Sequence, residues 1–523
     1  MGIMRKLFFL FVLISSSGFV NAQKLDVSVP FSSASAFIEP NPAKLVVKLP
    51  ENEFVSLAKV KGGLSGSSDF VLEKYGLSLV SQYKQNLSVA DNEDIVKFFY
   101  SAEKLIVLTN IHDKSKKMAS LKCYVFEPSS GSKIDEKILK QYPVKDWMTE
   151  RYKGTVKESY RNNIYSYLNS GFIIPFQYQF NIEFSPDNSK MLAYFYDYSQ
   201  KTLVVHTSMY DAEMNVIAER NISVDNNFVN YGLFPNNRSE FYILNADKLG
   251  RIVLVQYNIA DGTNKFLDLQ YSSSVRESLV LKQLNDDVVY IANTNVKNDV
   301  VQGIMYTKFN FIDNLVEKIN YYEISLGLKQ TVEAARSGNK SISNIENWKN
   351  YEITHFFMNE YEKLILVLEK RELTGGNFKY SGSTVHDLSH WGEKEGRISV
   401  EGLIMFAFNR DDEIIWENFY LKSQIADVNI GLLGASVELD NSAEGKLRMV
   451  YASSDNSSGV FNILRYVEWD EYSGSRIKEI NLENKDKLSL MRSHLLWWDD
   501  KVMLIGRRGL VGKKTVMNLY DLN

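Results

Sequence analysis

Phe241-Tyr-Ile-Leu-Asn245, Ile252-Val-Leu-Val-Gln-Tyr257, Asn258-Ile-Ala-Asp261-Gly262 and Thr263-Asn-Lys-Phe-Leu-Asp-Leu269 form the stretch whose reading decides the fold. The first two segments are short runs of Val, Ile, Leu, Tyr and Phe, the composition of strands buried on both faces. Asp261 and Gly262 tolerate the backbone angles of a tight hairpin, and a third run follows them. Strand, hairpin and strand make one small antiparallel sheet. The first of these runs returns along the chain at Phe54 to Val60, Leu105 to Asn110, Met191 to Tyr196, Val288 to Ala292, Leu364 to Leu368, Leu447 to Ala452 and Val502 to Gly506. With Phe241 to Asn245 that is eight occurrences at a spacing of roughly 50 residues, the period of radially arranged sheets. The turn also recurs, as Phe309-Asn-Phe-Ile-Asp313-Asn314 and Phe408-Asn-Arg-Asp-Asp412-Glu413. Further third runs are Val216 to Ile222, Leu315 to Asn320 and Glu413 to Tyr420.

One unit carries a signature. Phe184-Ser185-Pro186-Asp187-Asn188-Ser189-Lys190-Met191-Leu192 resembles the Phe-Ser-Pro-Asp-Gly-x-x-Leu repeat of TolB-type and WD-like propellers. Leu233-Phe-Pro-Asn-Asn-Arg238 is a weaker echo. The resemblance covers about one unit of eight, implies a propeller and carries no family function. The expected fold is therefore all-β, a propeller of eight four-stranded antiparallel blades (seven being the alternative) with small helical and loop insertions. The last unit, Leu488 to Asn523, supplies only three strands, so a strand from Leu25 to Val29 is expected to close the ring and remove the exposed edge.

The chain has 523 residues, and a repeat ring can absorb them as one domain, 23–523. Residues 1–22 read as a secretory signal peptide: Arg5 and Lys6, the apolar run Leu7 to Ile14, then Val20-Asn21-Ala22 before Gln23. The Ala22-Gln23 junction resembles that of signals cut in Gram-negative bacteria. The expectation is a periplasmic or extracellular protein, and no lipoprotein, because no Cys stands at the cleavage site. No later segment approaches the roughly 20 apolar residues of a membrane span. The runs are too short and too solidly apolar for an outer-membrane barrel, whose strands alternate over about ten residues. Sixty Lys and Arg against 64 Asp and Glu give a net charge of −4, which is no nucleic-acid footprint. Cys123 is the single cysteine, lies within the strand run Leu121 to Phe126, and reads as a small buried hydrophobe.

Function in a rigid scaffold sits on the loops that break its period. Three segments do so. The first, 142–174, places Tyr152, Val156, Tyr160, Ile164 and Leu168 at steps of four, an apolar stripe of a helix. The second, 326–351, has a helix-like Thr331 to Arg336 and an anchoring aromatic, Trp348. The third, 373–397, interrupts a unit between its second and third strands and contains Tyr380, His386, Asp387, His390 and Trp391. His386 and His390 are four apart, as two ligands on one helix face would be. However, His-Asp-Leu-Ser-His lacks the Glu of a zinc-protease helix, and two imidazoles make no metal site. Tyr380, His386, His390, Trp391 and Trp348 are the candidate partner-binding residues.

His206 lies in a strand run and reads as structural, while His112, His355 and His494 are scattered over other units. Asp286-Asp287, Asp411-Asp412 and Asp499-Asp500 fall at expected hairpin turns, where Asp is a turn former. There is no Gly-x-Ser-x-Gly elbow, phosphate-cradling loop or paired-Cys motif. Neither cofactor nor metal is expected. The leading reading is a non-enzymatic binding protein or envelope scaffold with a protein or glycan partner. The alternative is a propeller glycoside hydrolase or lyase with carboxylates at the channel mouth.

Overall fold

A computed structural model describes the chain from residue 25 to 523 apart from 31–35, 38–44, 61–66, 145–179, 273–278, 339–347, 375–396, 428–436, 454–462, 509–514 and shorter stretches at other loop positions. Eight antiparallel sheets follow one another. Strand β1 (Leu25–Pro30) belongs to the last of them. Blade 1 holds β2 (Ala36–Phe37), β3 (Val46–Lys48), β4 (Phe54–Val60), β5 (Ser67–Tyr75) and β6 (Ser81–Ala90). Blade 2 holds β7 (Glu93–Ser101), β8 (Lys104–Asp113), β9 (Met118–Phe126) and β10 (Lys133–Pro143). Blade 3 holds β11 (Asn181–Phe184), β12 (Lys190–Asp197), β13 (Leu203–Asp211) and β14 (Val216–Val224). Blade 4 holds β15 (Phe228–Pro235), β16 (Glu240–Asp247), β17 (Arg251–Asn258) and β18 (Asn264–Ser272).

Blade 5 holds β19 (Val280–Gln283), β20 (Val288–Lys297), β21 (Val300–Asn310), β22 (Leu315–Val316) and β23 (Asn320–Glu323). Helix α1 (Leu326–Gly338) precedes blade 6, which holds β24 (Tyr351–Met358), β25 (Leu364–Thr374), β26 (Arg397–Phe408) and β27 (Ile414–Asp427). Blade 7 holds β28 (Glu438–Asp440), β29 (Lys446–Ser453), β30 (Ile463–Asp470) and β31 (Arg476–Leu482). Blade 8 holds β32 (Leu488–Leu490), β33 (Leu496–Trp497), β34 (Lys501–Arg508), β35 (Thr515–Asp521) and, as its outermost strand, β1.

The count is eight. The strand expected from Leu25 to Val29 does close the ring, pairing antiparallel with β35 from Leu25 opposite Tyr520 to Pro30 opposite Val516. All eight apolar runs picked out in the sequence are second strands. β25 is buried from Leu364 to Lys370, and β34 from Val502 to Gly506. Their apolar side chains pack between neighbouring blades. Leu366, Leu368 and Phe406 join Tyr306 of blade 5, while Ile365, Val367 and Met405 join Leu447 and Met449 of blade 7. The hydrophobic core is thus a ring of layers between sheets, and each blade is stabilised only by its neighbours.

The seams between blades repeat one polar link. In several blades the carbonyl just past the third strand accepts a hydrogen bond from the fourth strand of the preceding blade. Arg220 Nε donates to Ile259 O at 2.9 Å, Lys265 Nζ to Phe311 O at 3.4 Å, Trp416 Nε1 to Glu471 O at 3.0 Å and Lys478 Nζ to Leu522 O at 2.5 Å. Gly474 follows in the same turn as Glu471 with φ of +69°, and a Cβ there would stand 2.5 Å from the Trp416 ring. Glycine is required at that position on both counts.

Three sequence expectations are corrected. The fourth strand of blade 5 is not one run from Leu315 to Asn320. β22 and β23 instead pair with the two ends of β21, Phe309–Asn310 and Gly303–Tyr306. The helix is longer than Thr331 to Arg336, because Ser325 caps it: the Leu328 N–H donates to Ser325 Oγ at 3.0 Å. The first departure also begins later than expected, since Tyr142 still belongs to β10 and the core. The helical stripe from Tyr152 to Leu168 lies outside the described residues.

Gly303 faces Glu323 across the β21–β23 pair, and a Cβ on it would collide with the Tyr322 carbonyl. Gly303→Ala is therefore expected to lower stability by about 1–3 kcal/mol, the range for forced overpacking. Denaturant titration of the two proteins checks this; an unchanged midpoint would mean that β23 does not sit where it is described.

Candidate binding face

Antiparallel order fixes which connections share a face of the ring. The turns from first to second and from third to fourth strand lie on one side, the turn face. The links from second to third strand, and from each blade to the next, lie on the other, the loop face. β10 and β11 bound segment 144–180, β23 and β24 bound 324–350, and β25 and β26 bound 375–396. All six strands end on the loop face at these points. Two of the three departures adjoin blade 6.

The loop-face end of blade 6 carries a row of buried charge across all four strands. Glu352 of β24 lies 3.7 Å from Arg371 of β25, and Arg371 Nε lies 2.9 Å from Glu369 Oε2. Lys422 Nζ of β27 stands 2.7 Å from Glu369 Oε1, as an ion pair rather than an aligned hydrogen bond, with both side chains fully buried. Lys422 also donates to Gln424 Oε1 at 2.6 Å, and Gln424 Nε2 donates to Ala452 O of blade 7 at 2.7 Å. On β26, Ser399 donates to Glu401 Oε1 at 2.8 Å. Glu352, Arg371, Glu369 and Lys422 each face an opposite charge, which buried ions require. The row fixes the strand ends from which 375–396 departs and links blade 6 to blade 7.

Trp348 precedes β24 with φ of 54°, unusual for so bulky a residue. Its ring stacks on Tyr351 at 5.8 Å, is half-buried, and packs against the layer between blades 5 and 6. Its carbonyl accepts from the Val301 N–H at 2.7 Å. α1 lies beside β27, with Leu328 and Val332 buried in the same layer and Ser325 Oγ donating to Glu417. Trp348 is the one candidate residue that the structure describes. Tyr380, His386, His390 and Trp391 lie outside the described residues.

At blades 2 and 3 a second aromatic group stands beside segment 144–180. His206 stacks on Tyr142 at 4.4 Å, and Tyr142 stacks on Phe180 and Phe195 at 5.7 and 5.5 Å. His206 Nδ1 meets Asn221 Oδ1 at 2.7 Å, and Asp197 lies 3.6 Å from Nε2. The histidine is satisfied within its sheet. Burial also pushes the Cys123 thiol up to about 12, as fits a packed side chain.

The aspartate pairs sit at turns and serve the turn face. Arg238 of blade 4 forks onto Asp287, and Tyr242 donates to Asp286 O. Tyr306 and Asn320 of blade 5 bond the two carboxylate oxygens of Asp412 at 2.8 and 3.0 Å. Arg448 donates to Trp498 O and Asp499 O, each at 2.8 Å. These acids staple neighbouring blades. On β11, desolvation raises the Glu183 carboxyl against the opposing pull of Lys97. A carboxyl beside an ammonium is not the pair of carboxyls used in glycoside hydrolysis. Among the described residues, no group of three or more His, Cys, Asp or Glu is placed to hold a metal, and no helix is long and apolar enough to cross a membrane.

The sequence reading missed the charged row. Glu369-Lys-Arg-Glu372 after Ile365-Leu-Val-Leu368 reads as a strand leaving the core for water. The available signal was Lys422 and Gln424, two apart on the fourth strand, which places both on one side of a sheet.

No family model matches the chain, and no curated protein matches it. Solved structures resemble it distantly. The polysaccharide lyase Uly1 is 8% identical, with 97% of this chain and 94% of that one covered and a TM-score of 0.40. A europium-containing methanol dehydrogenase is 7% identical over 95% and 93%, with a TM-score of 0.41. The β-propeller domain of the Trilobed protease from Pyrococcus furiosus is 8% identical over 83% and 97%, with a TM-score of 0.37.

Removing the carboxylate from the middle of the row leaves Lys422 and Arg371 short of their buried counter-charge. Glu369→Gln is expected to cost about 3–5 kcal/mol. Urea denaturation measures it, and a loss below about 1 kcal/mol, typical of a surface pair, would contradict the buried row.

Proposed function

We propose that this protein is exported and acts as a non-enzymatic β-propeller, binding a protein or glycan partner or serving as an envelope scaffold through its loop face. One observation carries the reading: the strands that bound all three long departures from the repeat end on the same face, two of them at blade 6. The turn face, by contrast, spends its aspartates and turn carbonyls on contacts between blades. Variation therefore falls on the side of the ring opposite those turn-to-turn contacts.

Export rests on residues 1–22. Cleavage after Ala22 would leave Leu25 to Pro30 intact for pairing with β35. The proposed partner-binding residues are Tyr380, His386, His390 and Trp391, together with Trp348 at the entry to blade 6. Aromatic rings of this kind supply contact area to a sugar face or an apolar side chain.

The test is a pull-down from envelope extract and culture medium with the chain from Gln23, alongside a version whose 375–396 is replaced by a short turn. Circular dichroism establishes that the second protein is folded. A partner that is retained by the intact chain, lost with the segment and rebound in purified form is the expected result. Equal retention by both proteins, or by neither, would overturn the assignment.

A further inference from the structure

A cleft of about 310 Å³ opens on the turn face at the seam between blades 4 and 5. Its size lies at the lower end of small-ligand sites. Its position is informative because the seams repeat. In the fourth strand, the residue facing the one just before the aromatic near the end of the third strand (Tyr75, Tyr257, Phe408 or Trp469) is Tyr83 opposite Lys74, Lys265 opposite Gln256, Trp416 opposite Ala407 and Lys478 opposite Glu468. At seam 6/7 the Trp416 indole fills the space over Gly474, and at seam 1/2 the Tyr83 ring covers Gly131. At seam 3/4, Arg220 from two residues further along lies over Gly262. Lys478 reaches the carbonyl of Leu522, just past β35, at 2.5 Å. At seam 4/5 the place of the ring is taken by Lys265, an exposed side chain that reaches Phe311 O only at 3.4 Å. The cleft is where a ring would otherwise lie.

The lining matches a particular chemistry. Arg238 and Lys265 are balanced by Glu240 and Asp287, so the site has no net charge to select an anion or a cation. Arg238 is held by Asp287, with NH1 2.6 Å from Oδ1, and Glu240 Oε2 receives Gln256 Nε2 at 2.8 Å and Asn236 Nδ2 at 2.9 Å. These side chains are thereby fixed in orientation before any ligand arrives. Asn264 and Thr263 add an amide and a hydroxyl, and Ile312, 72% exposed, adds an apolar wall. Closely spaced donors and acceptors beside one apolar surface suit a molecule with adjacent hydroxyls on a compact ring.

We propose that the seam 4/5 cleft is a binding site for a neutral saccharide unit of one or two rings. This is separate from the loop-face reading, since it lies on the opposite face and uses other residues.

The experiment is saturation-transfer NMR on the mature chain with glucose, galactose, mannose, N-acetylglucosamine and cellobiose, repeated with Lys265→Trp and Asn264→Ala. Lys265→Trp places in this seam the ring that Trp416 places in another. At least one sugar should give transfer with the native chain, with a Kd of about 1 mM or tighter. Affinity should fall at least about tenfold in Lys265→Trp and measurably in Asn264→Ala, while both melt as the native protein does. Absence of transfer from every sugar would overturn the proposal, and so would undiminished binding to a folded Lys265→Trp. Should that variant fail to fold, undiminished binding to Asn264→Ala decides against it. Capture of inorganic phosphate in place of the sugars would also contradict the neutral character assigned to the site.

Discussion

Every blade of this protein buries both faces of its sheet against neighbours, so no blade is complete until the ring is closed. Closure rests on the antiparallel pairing of β1 with β35. Without it, blade 8 would present an unpaired third strand as its outer edge. One layer joins Phe54 and Leu57 of blade 1 with Leu105 of blade 2 and with Trp498, Met503 and Leu519 of blade 8, so the closing seam continues the core rather than covering a gap. The pairing also brings the two ends of the described chain together, a contact of the longest sequence separation available, whose loop-closure cost must be met before it stabilises anything.

Between blades the recurring demand comes from backbone, and the side chain that answers it varies. The carbonyl just past a third strand needs a donor from the previous blade, and Arg220, Lys265, Trp416 and Lys478 each supply one. Guanidinium, ammonium and indole are chemically unlike, yet each reaches a carbonyl from the same strand. This accounts for a ring of eight geometrically similar units in which only Phe184 to Leu192 carries a recognisable repeat signature. The acceptor is written in the backbone, so the residue opposite is held to a function rather than to an identity.

Legibility in the sequence followed burial. The eight second strands were readable because burial on both sides leaves them solidly apolar, as in Leu364 to Leu368. Most first strands were not: β19 has four residues and β28 three, too few for a periodic signal. Blade 5 misled for a different reason, since Leu315 to Asn320 has the composition of a strand but the chain leaves β21 and returns to it as β23. The start of α1 is set by a single hydroxyl, Ser325, ahead of a Leu-Gly-Leu that carries little helical signal. At the loop face the departures from the period were legible as interruptions. The charged row beneath the third was not, because pairing across four strands turns what reads as a solvated end into an interior.

The two faces of the ring thus differ in kind, one stitched turn to turn and the other holding the strand ends that bound the long departures, and both depend on a closed circle. Hydrogen exchange at β35 tests that closure most directly, in the chain from Gln23 compared with one lacking Gln23 to Pro30. The account predicts slow exchange of Thr515 to Asp521 in the first and marked loss of protection there in the second. Equal protection in both would show that β1 does not complete blade 8, and would contradict the ring described above.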